Sequence, residues 1–166
     1  GLNALLTILE NKQLKMKLSY SALEAFPLKQ EVTSHLNYID LLTDQIHSKE
    51  ELRFFFDAIH VSAWNQKVEI IPEFNLNKIL NSLQQVQFQD TYNLVYFDAF
   101  GPVVQPEMWS KDMFFKIYGA MKEQGILVTY CAKGIVKRTL KEVGFKIETL
   151  QGPPGKREMI RAIKIS

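Results

Sequence analysis

Cysteine is nearly absent from this chain: its 166 residues include one, Cys131. A single cysteine excludes an intrachain disulfide framework. With no Cys/His cluster at ligand spacing, the sequence also argues against structural zinc, and no metal is expected. A reducing, cytoplasmic setting fits. No run of about 18 apolar residues occurs, so neither a transmembrane helix nor a membrane partner is expected. No secretory leader is visible, but the chain opens at Gly1-Leu2-Asn3 without a methionine, so that observation carries little weight. Internal repeats, low-complexity tracts and linkers are also lacking. Net charge is small, at +2.

The composition is that of a globular domain. Hydrophobic residues make up 46% and charged residues 23%, too apolar for disorder and enough to build a core. The length fits one domain over 1–166. The small net charge conceals an asymmetry. Residues 1–110 carry 8 Lys/Arg against 13 Asp/Glu, whereas residues 111–166 carry 12 against 5. A basic final third suits a polyanion such as RNA, and it equally suits solvated helix faces.

The stretch Tyr92-Asn93-Leu94-Val95-Tyr96-Phe97-Asp98-Ala99-Phe100-Gly101-Pro102 organises the rest. A short β-branched and aromatic run ends at a carboxylate and a Gly-Pro turn. That pattern predicts a strand over Tyr92 to Asp98, buried on both faces, with Asp98 at its carboxyl end. Ligands bind beyond the carboxyl ends of parallel strands, so Asp98 is the first candidate for chemistry; taken alone it equally reads as a residue that opens a turn.

In chain order, Gly1 to Glu10 predicts a helix with Leu2, Leu5, Leu6 and Leu9 on one face. Lys17 to Leu23 predicts a strand ending at Glu24, where a carboxylate can accept hydrogen bonds from ribose hydroxyls or simply face solvent. Pro27 sits near the start of a helix with Leu28, Val32, His35, Leu36 and Ile39 on its apolar side. Ser48-Lys49-Glu50-Glu51 matches a capping box and opens a helix with Leu52, Phe55, Phe56, Ile59 and His60 inward. Trp64 packs there or lies at a binding surface. Val68 to Ile71 is a strand, and Asn77 to Val86 is predicted helical with Ile79, Leu80, Leu83 and Val86 inward. Pro106 begins a helix to about Lys122, stopped by Gly125. Ile126 to Tyr130 is a strand, and Lys133 to Val143 a helix stopped by Gly144. Phe145 to Leu150 and Glu158 to Ile165 are joined by too few residues for a crossover helix, so they form an antiparallel hairpin. Alternating strands and helices with that finish predict an α/β, doubly wound, mostly parallel sheet.

That ending, with acidic residues at two strand ends, resembles class I S-adenosylmethionine-dependent methyltransferases, whose sheet is Rossmann-like. The similarity is closer than the fold. Phe97-Asp98-Ala99-Phe100-Gly101-Pro102 followed by Pro106-Glu107-Met108-Trp109 resembles the D-G/A-F-x-P…NPE-(L/M)-W signature of the MnmC-like (MnmD) tRNA methyltransferases. Gly155-Lys156-Arg157-Glu158-Met159 is similar to their G-x-KREM ending. Leu23-Glu24-Ala25-Phe26-Pro27-Leu28 is similar to their (V/F)-E-K-F-P-L segment, and Gly1-Leu2-Asn3 to the end of their G-F-G-T-G-L-N loop. The resemblance spans almost the whole chain, and several motifs in the right order make it specific.

The resemblance implies an S-adenosyl-L-methionine-dependent N-methyltransferase that converts 5-aminomethyl-2-thiouridine at the tRNA wobble position to 5-methylaminomethyl-2-thiouridine. It implies Asp98 as the group that orients the amine and takes its proton, and Glu24 on the ribose. Gly1 and Asn3 would lie near the methionine carboxylate or ribose, and Glu73 and Phe74 would flank the adenine. Phe100 and Pro102 would wall the uridine pocket, and Lys133, Lys137, Arg138, Lys156 and Arg157 would meet tRNA phosphates. The chain departs from the family in three ways. The family's first strand and most of its glycine loop fall before Gly1, which would expose the strands on either side. Pro72-Glu73 stands where the family has Gly-Asp after its third strand, and no FAD domain of the bifunctional members is present. Two other functions fit the residues: methyl transfer to a small-molecule or protein amine, and a non-catalytic methyltransferase-like module that binds RNA or a partner. Nothing in the sequence fixes the oligomeric state.

Overall fold

The structure is a computed structural model that describes residues 1–43, 48–88, 91–152 and 155–165. The chain divides into two compact units, Gly1–Gln85 and Val86–Ser166. The strands form two sheets instead of the single one expected.

In the first unit, α1 (Leu2–Leu14) leads to β1 (Leu18–Glu24), then the short α2 (Gln30–Thr33) and α3 (Tyr38–Leu42), α4 (Lys49–Val61), β2 (Lys67–Ile71) and β3 (Phe74–Leu80). The sheet order is β1-β3-β2, with β1 parallel to β3 and β2 antiparallel to it. Helix α4 forms as expected: the Ser48 hydroxyl accepts from the Glu51 amide at 3.2 Å, and Leu52, Phe55, Phe56 and Ile59 recur at helical spacing and are buried. The Glu51 carboxylate pairs with Lys12 of α1. Helix α1 buries Ala4, Leu5, Ile8 and Leu9, while Leu6 turns outward. Its buried Asn11 closes the helix end, donating to the Met16 carbonyl at 2.7 Å and accepting from the Met16 amide at 3.2 Å.

Three expectations fail in this unit. The helix after Pro27 is broken into α2 and α3; Leu28 (61% exposed) and Val32 (50%) face outward, and Ser34 and Thr33 hydroxyls bond back to nearby carbonyls in place of a continuous helix. His35 is exposed, with Nδ1 2.6 Å from the Glu31 carbonyl oxygen. The helix predicted over Asn77 to Val86 is instead strand β3 followed by turns, reached from β2 through the two-residue turn Pro72-Glu73. Phe74, Leu76 and Lys78 alternate inward, a period of two that the intervening asparagines obscure.

In the second unit, β4 (Tyr92–Tyr96) is followed by a 3-10 turn (Pro106–Trp109), α5 (Lys111–Gly119), β5 (Met121–Thr129), α6 (Gly134–Val143), β6 (Phe145–Gln151) and β7 (Glu158–Lys164). The order is β4-β5-β7-β6; β4 and β5 are parallel, and β7 is antiparallel to both β5 and β6. The C-terminal hairpin is thus as expected, though Pro153 and Pro154 of its connection lie outside the described residues. Gly144 ends α6 with φ of 117°, as its position predicts.

The single helix predicted from Pro106 is divided at Ser110, which is extended and caps α5 by accepting from the Met113 amide at 3.4 Å. Gly125, expected to stop that helix, lies inside β5, because α5 already ends at Gly119. Strand β4 is not buried on both faces: Leu94 is 45% and Tyr96 40% exposed. It is paired on one side only, with β5, and β1 is likewise the edge strand of its own sheet.

Candidate active site

The centre of the second unit's site is the turn after β4. Backbone pairing with β5 continues one residue past the strand, where the Phe97 amide donates to the Val128 carbonyl at 2.9 Å. Phe97 itself is buried against Trp109 and Phe114, with ring centroids 5.0 and 5.2 Å apart. Asp98 follows, exposed, at the carboxyl end of a parallel strand. The next two carbonyls are held by side chains. The Tyr130 hydroxyl donates to Ala99 O at 2.9 Å, and Trp109 Nε1 donates to Phe100 O at 2.7 Å. The amides of Val104 and Gln105 then close the turn on the Gly101 carbonyl at 2.8 and 3.0 Å. A buried aromatic base therefore carries an exposed carboxylate on a fixed turn. Phe100 is 71% exposed and outside the core, and Pro102 is half-buried.

The reversed direction of β7 brings basic residues to this end of the sheet. Because Thr129 at the end of β5 pairs with Ile160 near the start of β7, the hairpin tip lies beyond the carboxyl end of β5. Lys156 from that tip places Nζ 3.6 Å from the centroid of the Tyr130 ring. Burial pushes the Tyr130 phenol above its ordinary value, and the neighbouring Cys131 and Asp98 act in the same direction. Lys137 is engaged differently: it pairs with Glu158 at 2.9 Å and holds that carboxyl below the usual range. Lys133 precedes the first turn of α6, Arg138 lies on that helix, and the Arg157 carbonyl accepts from the Gly152 amide across the hairpin at 3.3 Å. Lys133, Arg138, Lys156 and Arg157 are all exposed.

In the first unit, Glu24 ends β1, and its Oε1 accepts from the Phe26 amide at 2.8 Å, which orients the carboxylate at the mouth of the turn. Glu24 pairs in register with Leu80, so the carboxyl ends of the two parallel strands coincide. Beyond them lies a cleft of about 380 Å³ lined by Ala25, Phe26, Leu80, Asn81, Ser82 and Gln85. Its lining mixes apolar side chains with amide and hydroxyl groups. Glu73 and Phe74 are not part of it. Phe74 pairs with Leu18 at the opposite end of β1, is fully buried and stacks on Tyr20 at 5.8 Å. The strand parallel to β1 is β3, so the residues that follow a parallel strand here are Asn81 and Ser82. Gly1 caps α1 against the His60 ring, and the Asn3 carbonyl accepts from the Thr7 hydroxyl at 2.7 Å.

Sequence reasoning missed Tyr130 as a support for the Asp98 turn, and it missed the Asn81–Gln85 cleft. Tyr130 ends a predicted strand at the level of Asp98, a signal that parallel pairing supplies once β4 and β5 are set side by side. Among the described residues, no group of three or more His, Cys, Asp or Glu is placed to hold a metal ion, and no helix is long and apolar enough to cross a membrane.

Parallel strand pairs with helices between them, and candidate groups beyond their carboxyl ends, define a Rossmann-like α/β protein. Comparison with known proteins agrees. The crystal structure of MNMC2 from Aquifex aeolicus has the same fold, with a TM-score of 0.66 at 20% identity over 97% of this chain and 47% of that one. Residues 38–165 match the model of a family described as S-adenosyl-L-methionine-dependent methyltransferase, and the chain belongs to that family. Among curated relatives, the tRNA 5-methylaminomethyl-2-thiouridine biosynthesis bifunctional protein MnmC of Campylobacter fetus is 30% identical over 98% of this chain and 26% of its own length. The protein of the same name from Pseudoalteromonas atlantica is 28% identical over 98% of this chain and 24% of its own. The chain thus spans about a quarter of the length of these relatives.

Proposed function

We propose that residues 1–166 form a methyltransferase domain that acts on tRNA in the cytoplasm, methylating the aminomethyl group of a 5-aminomethyl-2-thiouridine at the wobble position. The observation that carries this reading is the exposed Asp98 on a doubly pinned turn at the carboxyl end of β4, in a chain belonging to a methyltransferase family whose curated relatives are named for biosynthesis of this nucleoside.

The first unit's cleft fits S-adenosyl-L-methionine. Glu24 would accept from ribose hydroxyls, Phe26 and Leu80 would offer apolar surface to the adenine, and Asn81 and Ser82 would offer polar groups to its edge. When bound, the cofactor supplies a methyl group activated on a sulfonium. The chain's own task is at the acceptor. A primary amine is protonated at neutral pH and has no lone pair to donate, so it must be deprotonated before transfer. Asp98 would accept a hydrogen bond from the ammonium, orient it and take its proton, leaving the nitrogen lone pair available to the methyl group that the cofactor would supply. The fixed turn contributes by positioning, because the carboxylate need not be ordered at the moment of reaction. Phe100 and Pro102 offer faces to an unstacked uridine, and Lys133, Arg138 and Arg157 offer charge to its phosphates.

The test is methyl transfer from labelled S-adenosyl-L-methionine to tRNA from cells that lack this modification, using the chain alone and with the family's first strand and glycine loop joined ahead of Gly1. Label in the wobble uridine supports the reading. Label in neither case, with correctly modified acceptor tRNA present, overturns it. Asp98→Asn is expected to keep cofactor binding and lower transfer by roughly 10²-fold, the scale of general-base loss. Near-normal turnover by that variant removes Asp98 from the mechanism.

A further inference from the structure

We propose that Tyr130 is the positioning residue for Asp98, with Lys156 holding the Tyr130 ring in place; this rests on the methyl-transfer reading above.

The backbone ladder between β4 and β5 ends at the bond from Phe97 N to Val128 O. Asp98 is the first residue beyond it, so the ladder fixes Asp98 only from its N-terminal side. On the C-terminal side the chain is fixed by two side-chain donors on consecutive carbonyls, Tyr130 on Ala99 and Trp109 on Phe100. Their rings stand edge to face with centroids 6.1 Å apart, which makes one support of the two. Trp109 is buried among Phe97 and Phe114, so altering it disturbs the core. The Tyr130 hydroxyl does one separable thing: it holds the Ala99 carbonyl, in the second peptide after Asp98.

The parallel register explains why position 130 serves. Tyr96 lies opposite Val128, and two residues further along both strands the same register sets 130 level with 98. The tyrosine then reaches laterally to the carbonyl of the next residue. Lys156 arrives from the β6–β7 tip and lies over the face of the ring. A cation there is attracted to the ring and bars it from swinging outward. The hydroxyl already donates to Ala99 O and its phenol is held above its ordinary value, so Tyr130 is not itself the proton acceptor.

Tyr130→Phe removes the bond to Ala99 and keeps the ring beneath Lys156. Lys156→Met keeps the bond and removes the cation. Two readouts are needed: steady-state methyl transfer to tRNA, and hydrogen exchange of the backbone amides along the chain. For Tyr130→Phe, kcat is expected to fall about tenfold, within the cost of a small misplacement of a reacting group. KM for both substrates should stay within about twofold, and the pH profile should keep its shape, in contrast to Asp98→Asn. Exchange should quicken at 99–101 and stay as in the wild type at Leu94–Tyr96 and Ile126–Thr129. Lys156→Met should show the same pattern, weaker. Unchanged kcat together with unchanged exchange at 99–101 overturns the proposal. So does a loss of kcat with exchange quickened equally throughout β4 and β5, which would mark a general loss of stability. A wild type that transfers no methyl group overturns the functional reading, while the exchange pattern still decides whether Tyr130 holds the turn.

Discussion

Replacing Gly152 by alanine tests the hairpin that carries the basic tip. A Cβ on Gly152 would collide with the Lys156 carbonyl oxygen and lie 2.8 Å from its carbon and 3.0 Å from the Glu158 nitrogen. All three atoms are backbone, so no side chain can swing away, and the hairpin end must open. Overpacking of this kind costs about 1–3 kcal/mol. Opening also weakens the Gly152 N to Arg157 O bond, already long at 3.3 Å, which is worth about 1 kcal/mol net. Against this, alanine restricts the unfolded chain and returns about 0.4–1 kcal/mol. The balance is a loss of about 2 kcal/mol; with a urea slope of about 2 kcal/mol/M, the midpoint should fall by about 1 M. Gly119→Ala is the control. Nothing lies within 4 Å of a Cβ there, and the residue is the last of α5. The same substitution should be neutral or stabilise by up to about 1 kcal/mol. The two variants share chemistry and differ only in what the new methyl meets, so urea unfolding followed by circular dichroism decides the matter. Equal midpoints for both would refute the hairpin geometry.

Burial is the largest influence on His60 and lowers its pKa from 6.5; Lys78 acts in the same direction, while the hydrogen bond to Phe56 and the charge of Asp57 oppose them. The unfolded chain therefore takes up a proton first as pH falls, so His60's contribution is complete above 6.5 and is lost below it, down to the lowered folded value; urea midpoints at pH 7.5 and 5.5 should differ more in the wild type than in His60→Gln. Removing the Ser48 cap by Ser48→Ala should cost about 1 kcal/mol, read in the same assay. Binding of tRNA should weaken steeply with salt, and Lys133→Ala or Arg157→Ala should each reduce the slope of log K against log salt by about 1. Lys137→Ala should leave the slope nearly unchanged, because Lys137 is already neutralised by Glu158; a slope change equal to that of Arg157→Ala would refute this division of the basic residues.

What could be read from the sequence was what local pattern determines. The run into Asp98 shows a strand end because apolar residues stop at a carboxylate and a Gly-Pro turn. The β6–β7 hairpin shows because its connection is too short for anything else. Strand β3 did not show, because Asn75, Asn77 and Lys78 read as polar surface. Lys78 is nevertheless 6% exposed: its Nζ reaches the His60 carbonyl at 2.9 Å, at the end of α4, and lies 4.8 Å from the centroid of the Trp64 ring. Both partners are brought there by folding, and Trp64 thereby resolves as a packed residue rather than a free binding surface. The structure also sets Glu73 and Phe74, which the resemblance implies flank the adenine, in and after a hairpin turn at the end of β1 and β3 away from Glu24.

The same reasoning accounts for the charges. Sequence showed a basic final third but not which cations are engaged, since the pairing of Lys137 with Glu158 spans 21 residues and the Tyr130 bond to Ala99 spans 31. Strand direction is what brings these groups together. Had β7 run parallel to β5, the residues preceding it would lie at the opposite end of the sheet from Asp98. Reversed, β7 begins where β5 ends, so Lys156 meets Tyr130, and the basic tip lies at the level of the carboxylate that the amine would use. A substrate bearing both a phosphate backbone and an amine needs charge of both signs at one end of the sheet. An antiparallel final strand is the arrangement that supplies a basic loop there while leaving the turns after β4 and β5 open to the proposed acceptor.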